Sequence, residues 1–478
     1  MTVKRRAPQA PEWPPALDES ETPEEKKNRL KAEAEARKVS EMIDKQLEQE
    51  RTQRLKKNGG KILLLGQAES GKSTVLKNFQ LYFAPKAFQK EAELWRPVIH
   101  LNLVRSINFV ISFVSSSRLP PPREDKARRP SNSSQLNPEL RKLCIRLAPL
   151  RQVEEKLISL LSGRMVPARK GRSKRDSVDE DDVSVYSLPD SQKEPQKLPQ
   201  EIAFPSNGGW KVNFTSMMGR GQSPFEANEG DQATRILTTL TNDMVALWKD
   251  QSVQMLLKQA EIRLDEQPGF FLDQIKRIAH EAYVPQPDDI LKARVTTFGP
   301  EEHTIVVESG PDSSKEWTIY DVGGSRSQRA VWAQFFDDVN AVIFMAPMSG
   351  FNQVLAEDES INRLTDSLRI WQAICSNKLL ADVEFILFLN KLDILETKLS
   401  SGIQFSSFVT SYTGKNETKP VAKYLLEVFV SLHQQYSPKK RKIHPHLTCA
   451  VDTKATASII GRIKDTVLVK ILTDTKLL

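Results

Sequence analysis

Lys61-Ile62-Leu63-Leu64-Leu65-Gly66-Gln67-Ala68-Glu69-Ser70-Gly71-Lys72-Ser73-Thr74 decides how the chain must fold. Residues 61–65, mostly apolar, have the make-up of a buried strand; G-x-x-x-x-G-K-S follows, and Thr74 to Phe83 is a helix-forming run. Strand, glycine-rich loop and helix in that order make a phosphate-binding P-loop. Gly66 and Gly71 permit backbone angles that turn successive N–H groups inward, and the helix N-terminus adds partial positive charge. Lys72 adds a full charge, and the Ser73 hydroxyl can be offered to Mg²⁺. Every specified position matches in the expected context, which argues against a chance glycine-rich turn.

The chain has 478 residues, enough for about two to three domains and a sizeable core. Hydrophobic residues make up 39%, and 28 Pro against 20 Gly points to globular parts separated by unstructured ones. Cys144, Cys375 and Cys449 are far apart, with no metal-ligand or redox pairing, which implies a reducing, intracellular compartment. A net charge of +8 would suit nucleic acid or an anionic membrane surface. The basic residues concentrate instead in Lys4-Arg5-Arg6, in two low-complexity segments and in Lys439-Lys440-Arg441-Lys442, which read as solvated linkers; no nucleic-acid partner is expected. No apolar run approaches about 18 residues, so no transmembrane helix is expected, and the N-terminus is too polar for a secretory signal. Thr2 stands where myristoylation needs Gly, and no cysteine near either end offers palmitoylation or prenylation. Membrane attachment is therefore expected through charge or a partner.

Residues 1–21 form a Pro-rich tail, and 22–58 a long helix with a thin apolar stripe of Ala32, Ala36, Val39, Ile43 and Leu47. That stripe either lies on the protein's own domain or is offered to a partner. Residues 59–80 carry the P-loop. Across 81–292 the pattern is helical: Glu91 to Val114, Leu140 to Leu161 as one helix or a pair, and 232–283 with Ile236, Leu240, Met244, Leu247 and Trp248 on one face. Segments 115–137 and 163–206 are poor in core-forming residues and read as disordered insertions. Across 293–478 strands alternate with helices. His303 to Glu308 and Glu316 to Asp321 read as a hairpin pair, and Ala341 to Ala346, Glu384 to Asn390 and Leu447 to Ala450 as further strands. Helices are expected over Leu355 to Cys375, Val421 to Gln435 and from Ala455 onward. The fold class is thus α/β, with a mostly parallel sheet and ligands at the carboxyl ends of its strands.

Two further motifs name the nucleotide. Asp321-Val322-Gly323-Gly324 ends a strand, where the acid can hold the water shell of Mg²⁺ and Gly324 can bring its N–H to a γ-phosphate. Asn390-Lys391-Leu392-Asp393 ends the next long apolar strand. The Asp393 carboxylate can accept from the N1–H and N2–H₂ edge of guanine, which adenine cannot supply, while the stem of Lys391 lies over the base. Either motif alone is a common turn; in this order after the P-loop they are a strong guanine-nucleotide signal.

With these motifs in place, most of the chain resembles the alpha subunits of heterotrimeric G proteins. The matching residues are Gly66 to Thr74, Tyr283-Val284-Pro285, Asp289 to Thr297, Asp321 to Arg329, Phe388 to Asp393 and Thr448 to Thr453. The resemblance implies a P-loop GTPase domain with a six-stranded sheet, an inserted all-α helical domain over 81–292, and an N-terminal helix that binds the beta-gamma dimer. It implies Ser73 and Thr297 as Mg²⁺ ligands, with Asp321 acting through water, and Lys72 on the β- and γ-phosphates. Arg294 would be the built-in arginine finger, Asp393 and Lys391 the guanine readers, and Ala450 a backbone donor to the guanine O6. Glu69, Ser70, Gly71, Thr74, Leu291, Gly324 and Asn390 complete the implied GTP/GDP contacts. Implied partners are beta-gamma through the N-terminal helix and second switch, a receptor through the C-terminus and an unidentified effector. The implied location is the cytoplasmic face of the plasma membrane.

The chain departs from that family where hydrolysis is concerned. The family carries Gln directly after D-V-G-G, where its amide orients the attacking water; here the residue is Ser325, whose side chain is about two bonds too short for that task. Ala68 replaces a P-loop glycine and adds a methyl group near the γ-phosphate. Phe298 and Ala330-Val331 alter the switch surface, and Thr475 stands where many members have Cys. The expectation is a transducer that binds GTP and Mg²⁺ but hydrolyses GTP slowly; the alternative is a pseudo-GTPase scaffold signalling through its insertions. Ser325 with a second water, or a regulator supplied in trans, would restore ordinary turnover.

Overall fold

The computed structural model describes parts of 22–46 and residues 58–116, 137–162, 203–205 and 224–474, with backbone alone at 58, 162, 203–205, 224–231, 296–298 and 474. The chain divides into two compact units, Met1–Asn58 and Gly59–Leu478. In the first unit, the described residues between 23 and 46 are helical and their side chains are exposed. Arg37 and Glu41 pair one turn apart along it at 3.6 Å.

The second unit is built on a six-stranded sheet. Its strands are β1 (Asn58–Gly66), β2 (Glu301–Val306), β3 (Glu316–Asp321), β4 (Ala341–Pro347), β5 (Glu384–Asn390) and β6 (Ile443–Leu447), in the order β6-β5-β4-β1-β3-β2. β1, β4, β5 and β6 run parallel, with Gly66 level with Met345, Met345 with Phe388 and Phe388 with His446. β2 and β3 pair antiparallel, Glu301 opposite Asp321. β1 is covered on both faces, which is why its sequence is continuously apolar rather than alternating. Ile62 and Leu64 join a core with Phe79 and Phe83 of α1 (Lys72–Phe83) and the C-terminal helix; Leu63 and Leu65 join another with Trp371 and Phe429. The Trp371 indole donates to the Phe429 carbonyl at 2.8 Å, so this large ring is buried without an unmet N–H.

Between α1 and β2 the chain builds a separate helical core around α2 (Arg96–Ser116), α3 (Pro138–Arg146), α4 (Leu150–Ser162), α5 (Pro224–Lys249) and α6 (Gln251–Gln259). Leu140 to Leu161 is thus a helix pair, broken at Leu147–Pro149. A short helix, α7 (Pro287–Lys292), returns the chain to the sheet.

Several expectations need correction. Residues Ala92–Ser116 do contain an 18-residue window of mean hydropathy 1.5, long and apolar enough to span a membrane; 61% of that window is buried in the helical core, which explains its composition. The helix expected from Leu355 starts later, as α8 (Arg363–Ser376), preceded by a two-stranded antiparallel ribbon of Val354–Leu355 and Asp358–Asn362. Asn362 stops any helix upstream, because its side chain accepts from Leu364 N and Thr365 N as an N-cap. The last strand lies at Ile443–Leu447, and Thr448 to Ala450 form the loop after it. Within 163–206, Ala203–Pro205 forms a strand parallel to Thr296–Phe298. Residues 117–136 and the rest of that second insertion lie outside the described residues, as do 1–21 and 475–478. The remaining helices are α9 (Leu392–Ser400), α10 (Thr418–Tyr436) and α11 (Thr453–Asp474).

Candidate functional site

The loop 66–71 turns at three positive-φ positions: Gly66 (144°), Glu69 (59°) and Gly71 (105°). Side chains are excluded at the two glycines. A Cβ on Gly66 would lie 2.4 Å from the Met345 carbonyl oxygen, and one on Gly71 the same distance from Asn390 Nδ2. The loop is therefore moulded against the ends of β4 and β5. Lys72 lies back along it, donating to the carbonyls of Gly66 (3.1 Å) and Gln67 (2.8 Å). Burial lowers its pKa to about 8, with Asp321 opposing the shift. A polyphosphate arriving there would hold the charge on.

Ser73 Oγ donates to Asp321 Oδ2 at 2.7 Å, so the P-loop hydroxyl and the acid ending β3 meet at one point. Both are hard oxygen donors, the type Mg²⁺ takes. Among the described residues no three His, Cys, Asp or Glu side chains form a self-sufficient metal cluster. That suits an ion that shares its ligands with phosphate oxygens and water. The Thr297 side chain lies outside the described residues.

Glu69 gathers two arginines. Its Oε1 accepts from Arg294 Nη2 at 2.6 Å and its Oε2 from Arg363 Nη1 at 2.9 Å, while Arg363 Nη2 donates to the Ala68 carbonyl at 2.7 Å. Burial alone would raise the Glu69 pKa, but the two guanidiniums and Lys391 overcome it and hold the carboxyl at about 2. Arg294 is fixed from behind by Asn102 of α2, which accepts from its N–H (2.8 Å) and donates to its carbonyl (3.1 Å). Nearby, Thr74 Oγ1 donates to the Leu291 carbonyl at 3.4 Å, and Lys77 donates to the carbonyls of Ile290 and Ala293.

Asn390 joins the remaining pieces. Its Nδ2 donates to the Ser70 carbonyl at 2.9 Å, and its Oδ1 accepts from Thr448 Oγ1 and Ala450 N. The Ala450 N–H assigned to the guanine O6 is thus directed at Asn390 in this structure. Lys391 follows in a left-handed conformation (φ 63°), and burial, with Arg363 nearby, lowers its pKa to about 8. Asp393 is exposed on the rim. The Cys449 thiol beside it is pushed up to about 11, by burial and then by that carboxylate.

These residues line one cavity of about 1550 Å³, reached by Glu69 to Thr74, Leu291, Arg294, Asp321, Gly324, Ser325, Asn390, Lys391, Asp393 and Ala450. The structure also gives parts to residues the sequence did not single out. Gln67 is buried and donates through Nε2 to Asp366 Oδ2 (2.5 Å) and to the Arg363 carbonyl (2.9 Å). Asp366 takes a two-pronged contact from Arg329 (3.0 and 2.7 Å), and Arg329 Nε reaches the Gly324 carbonyl at 3.2 Å. No local pattern could have shown this network, since it joins residues some 300 positions apart.

The G-protein alpha subunit family model matches residues 37–467. A "guanine nucleotide-binding protein alpha-4 subunit" of Mycosarcoma maydis is 29% identical, the match covering 95% of this chain and 92% of that one. A "guanine nucleotide-binding protein subunit alpha" of Sporothrix schenckii is 27% identical over 91% of this chain and 95% of its own. An "alpha-8 subunit" of Caenorhabditis briggsae reaches 36%, over 50% of this chain and 64% of its own length. With the P-loop, the D-V-G-G turn and the N-K-L-D loop meeting at a single cavity, and a match of this extent, the chain belongs to the G-protein alpha subunit family.

Proposed function

We propose that this chain is a guanine-nucleotide switch that binds GTP with Mg²⁺ in the cavity and hydrolyses it slowly. The observation that carries this reading is that Lys72, Arg294 and the Ser73–Asp321 pair, the groups suited to phosphate and magnesium, line one cavity together with Ser325. Ser73 and Asp321 would hold the magnesium ion, with Thr297 completing the set. Bound there, the ion would neutralise charge on the β- and γ-phosphates. Lys72 binds the phosphates, Asp393 reads the guanine edge, and Arg294, once released from Glu69, stabilises charge developing on the transferred group. An arginine in that role contributes about 10³ to 10⁵ in rate. Ser325 cannot by itself reach both water and phosphate, which sets the low rate.

Partner contacts follow the same family logic. Exposed Val39, Met42 and Ile43 on the N-terminal helix suit beta-gamma, and exposed Val469 and Leu472 near the end of α11 suit a receptor. Through these partners the protein would work at the cytoplasmic face of the membrane. Ser325 and Ala68 favour a second reading, a nucleotide-bound or empty scaffold that signals through its insertions.

The test uses Trp332, buried with its indole donating to the Gly323 carbonyl at 2.9 Å and so tied to the segment that would sense the γ-phosphate. GTPγS with Mg²⁺ should change its fluorescence, and single-turnover hydrolysis should be slow in the parent and faster in Ser325→Gln. No response and no bound nucleotide would establish the scaffold. An ordinary hydrolysis rate would overturn the part assigned to Ser325.

A further inference from the structure

We propose that Ser325 and Gln328 together form the water-positioning unit of this site, Gln328 supplying the amide that position 325 lacks. The inference rests on the nucleotide-switch reading above and adds a catalytic residue to it. Ser325 Oγ donates to Gln328 Oε1 at 2.9 Å, and both residues line the cavity. Ser327 Oγ lies 3.4 Å from Ser325 Oγ and can donate to it.

The amide is seated where it is needed. A Cβ on Gly323 would fall 1.9 Å from Gln328 Oε1, 2.4 Å from its Cδ and 3.1 Å from its Nε2, so the carboxamide fills the space left by the missing side chain of Gly323. The next residue, Gly324, packs on the P-loop: a Cβ there would meet the Gln67 carbonyl carbon at 2.3 Å and Ala68 N at 2.4 Å. The amide thus stands beside the backbone of Gly323 and Gly324, whose N–H would serve a γ-phosphate in the switch reading. Arg326 is drawn away to Asp358 at 2.6 Å, while Arg329, held by Asp366, and Trp332 reach only the carbonyls of Gly324 and Gly323.

The hydrogen-bond polarity divides one residue's task between two. Because Ser325 gives its proton to Gln328 Oε1, a lone pair on Ser325 Oγ is left to accept from the attacking water. Gln328 Nε2 then donates to a γ-phosphate oxygen. The pair spans the distance that a serine alone cannot. In the reaction the water oxygen bonds to the γ-phosphorus as the bond from that phosphorus to the bridging oxygen breaks. The bridging oxygen leaves on GDP with the electron pair, and the water's proton passes to the released phosphate. Neither side chain is consumed or changes its protonation.

The test is single-turnover hydrolysis of γ-labelled GTP by the full chain with Mg²⁺, read beside GTPγS affinity. Gln328→Leu should lower the rate tenfold or more with affinity little changed, since one lost donor to the developing charge costs about that or more. Gln328→Glu, which is isosteric and can still accept from Ser325 but cannot donate to phosphate, should fall as far and guards against a folding defect in the leucine variant. Ser325→Ala should match them, and the double variant should be no slower than either single, as for groups acting as one unit. With glutamine restored at 325, adding Gln328→Leu should no longer matter. Parental rates in Gln328→Leu or Gln328→Glu, or losses that multiply in the double variant, would overturn the pairing. A parent chain that binds GTPγS but never hydrolyses GTP would also overturn it while leaving the nucleotide-binding part of the switch reading intact; failure to bind GTPγS would remove both.

Discussion

At the scale of single residues, the cavity is governed by charge held in the wrong place for catalysis. Glu69 occupies Arg294, the cation expected to serve the transferring phosphoryl group, at 2.6 Å and keeps Arg363 at 2.9 Å. Its folded pKa of about 2 lies below the ordinary value of 4.5. A depressed carboxylate contributes stability that is fully present above pH 4.5 and is lost as pH falls toward 2. Replacing Glu69 by Gln should therefore lower stability on the order of 2 kcal/mol at pH 7 in the nucleotide-free protein, because two guanidiniums lose their shared partner. In thermal melts across pH, the gap between parent and variant should close between pH 4.5 and 2. A gap that is flat with pH would mean that the carboxylate's charge contributes little.

At the scale of elements, the clearest case is the start of α8. The segment 354–376 has enough apolar residues to suggest one helix from Leu355, yet Val354–Leu355 and Asp358–Asn362 form a ribbon and the helix begins at Arg363. Asn362 makes the break: Oδ1 caps Leu364 N and Thr365 N at 2.9 and 3.2 Å, and Nδ2 donates to the Phe351 carbonyl at 2.6 Å. Asn362→Ala should cost about 1 kcal/mol for the cap. It should also loosen Arg363 and Asp366 just inside the helix, which chemical denaturation and GTPγS affinity measured together would detect. What the sequence made legible follows the same physics. β5 could be read at Glu384–Asn390 because a strand covered on both faces is a short unbroken apolar run. The P-loop was legible because its chemistry is local, residue next to residue. The Gln67–Asp366–Arg329 network and the true place of β6 were not, because each depends on which distant segments the sheet order brings together; the Ser325–Gln328 contact, only three positions apart, depends on how the turn after β3 aims its side chains.

At the scale of the whole unit 59–478, the cavity is lined both by residues of the helical core, such as Phe271 and Ala293, and by residues at the sheet ends, such as Asp321 and Asn390, so contacts between the two sides bear on how a bound nucleotide would leave. One contact is unusually enclosed. Lys398 of α9 pairs with Glu266, on a turn of the helical core between Leu264 and Phe271, at 3.0 Å, with their side chains 1% and 7% exposed. The same ammonium donates to the Ser349 carbonyl (2.8 Å) and Asn352 Oδ1 (2.7 Å), so it is anchored firmly on the sheet side. Burial lowers the Lys398 pKa, with Glu266 opposing the shift, and removal of that carboxylate would leave an ammonium enclosed without its counter-charge. Glu266→Gln keeps the shape of the contact and removes the charge. A lost enclosed pair of this kind is worth about 1 to 3 kcal/mol when other acceptors remain, which corresponds to roughly a 5- to 150-fold change in a rate that depends on the two sides parting. Release of a fluorescent GDP from the variant should accelerate within that range, while its affinity for Mg²⁺ at saturating nucleotide should not change, because the Ser73–Asp321 pair keeps its own contact in the variant. An unchanged release rate would place the barrier to opening elsewhere, with the Asn102 clasp on Arg294 as the next contact to break.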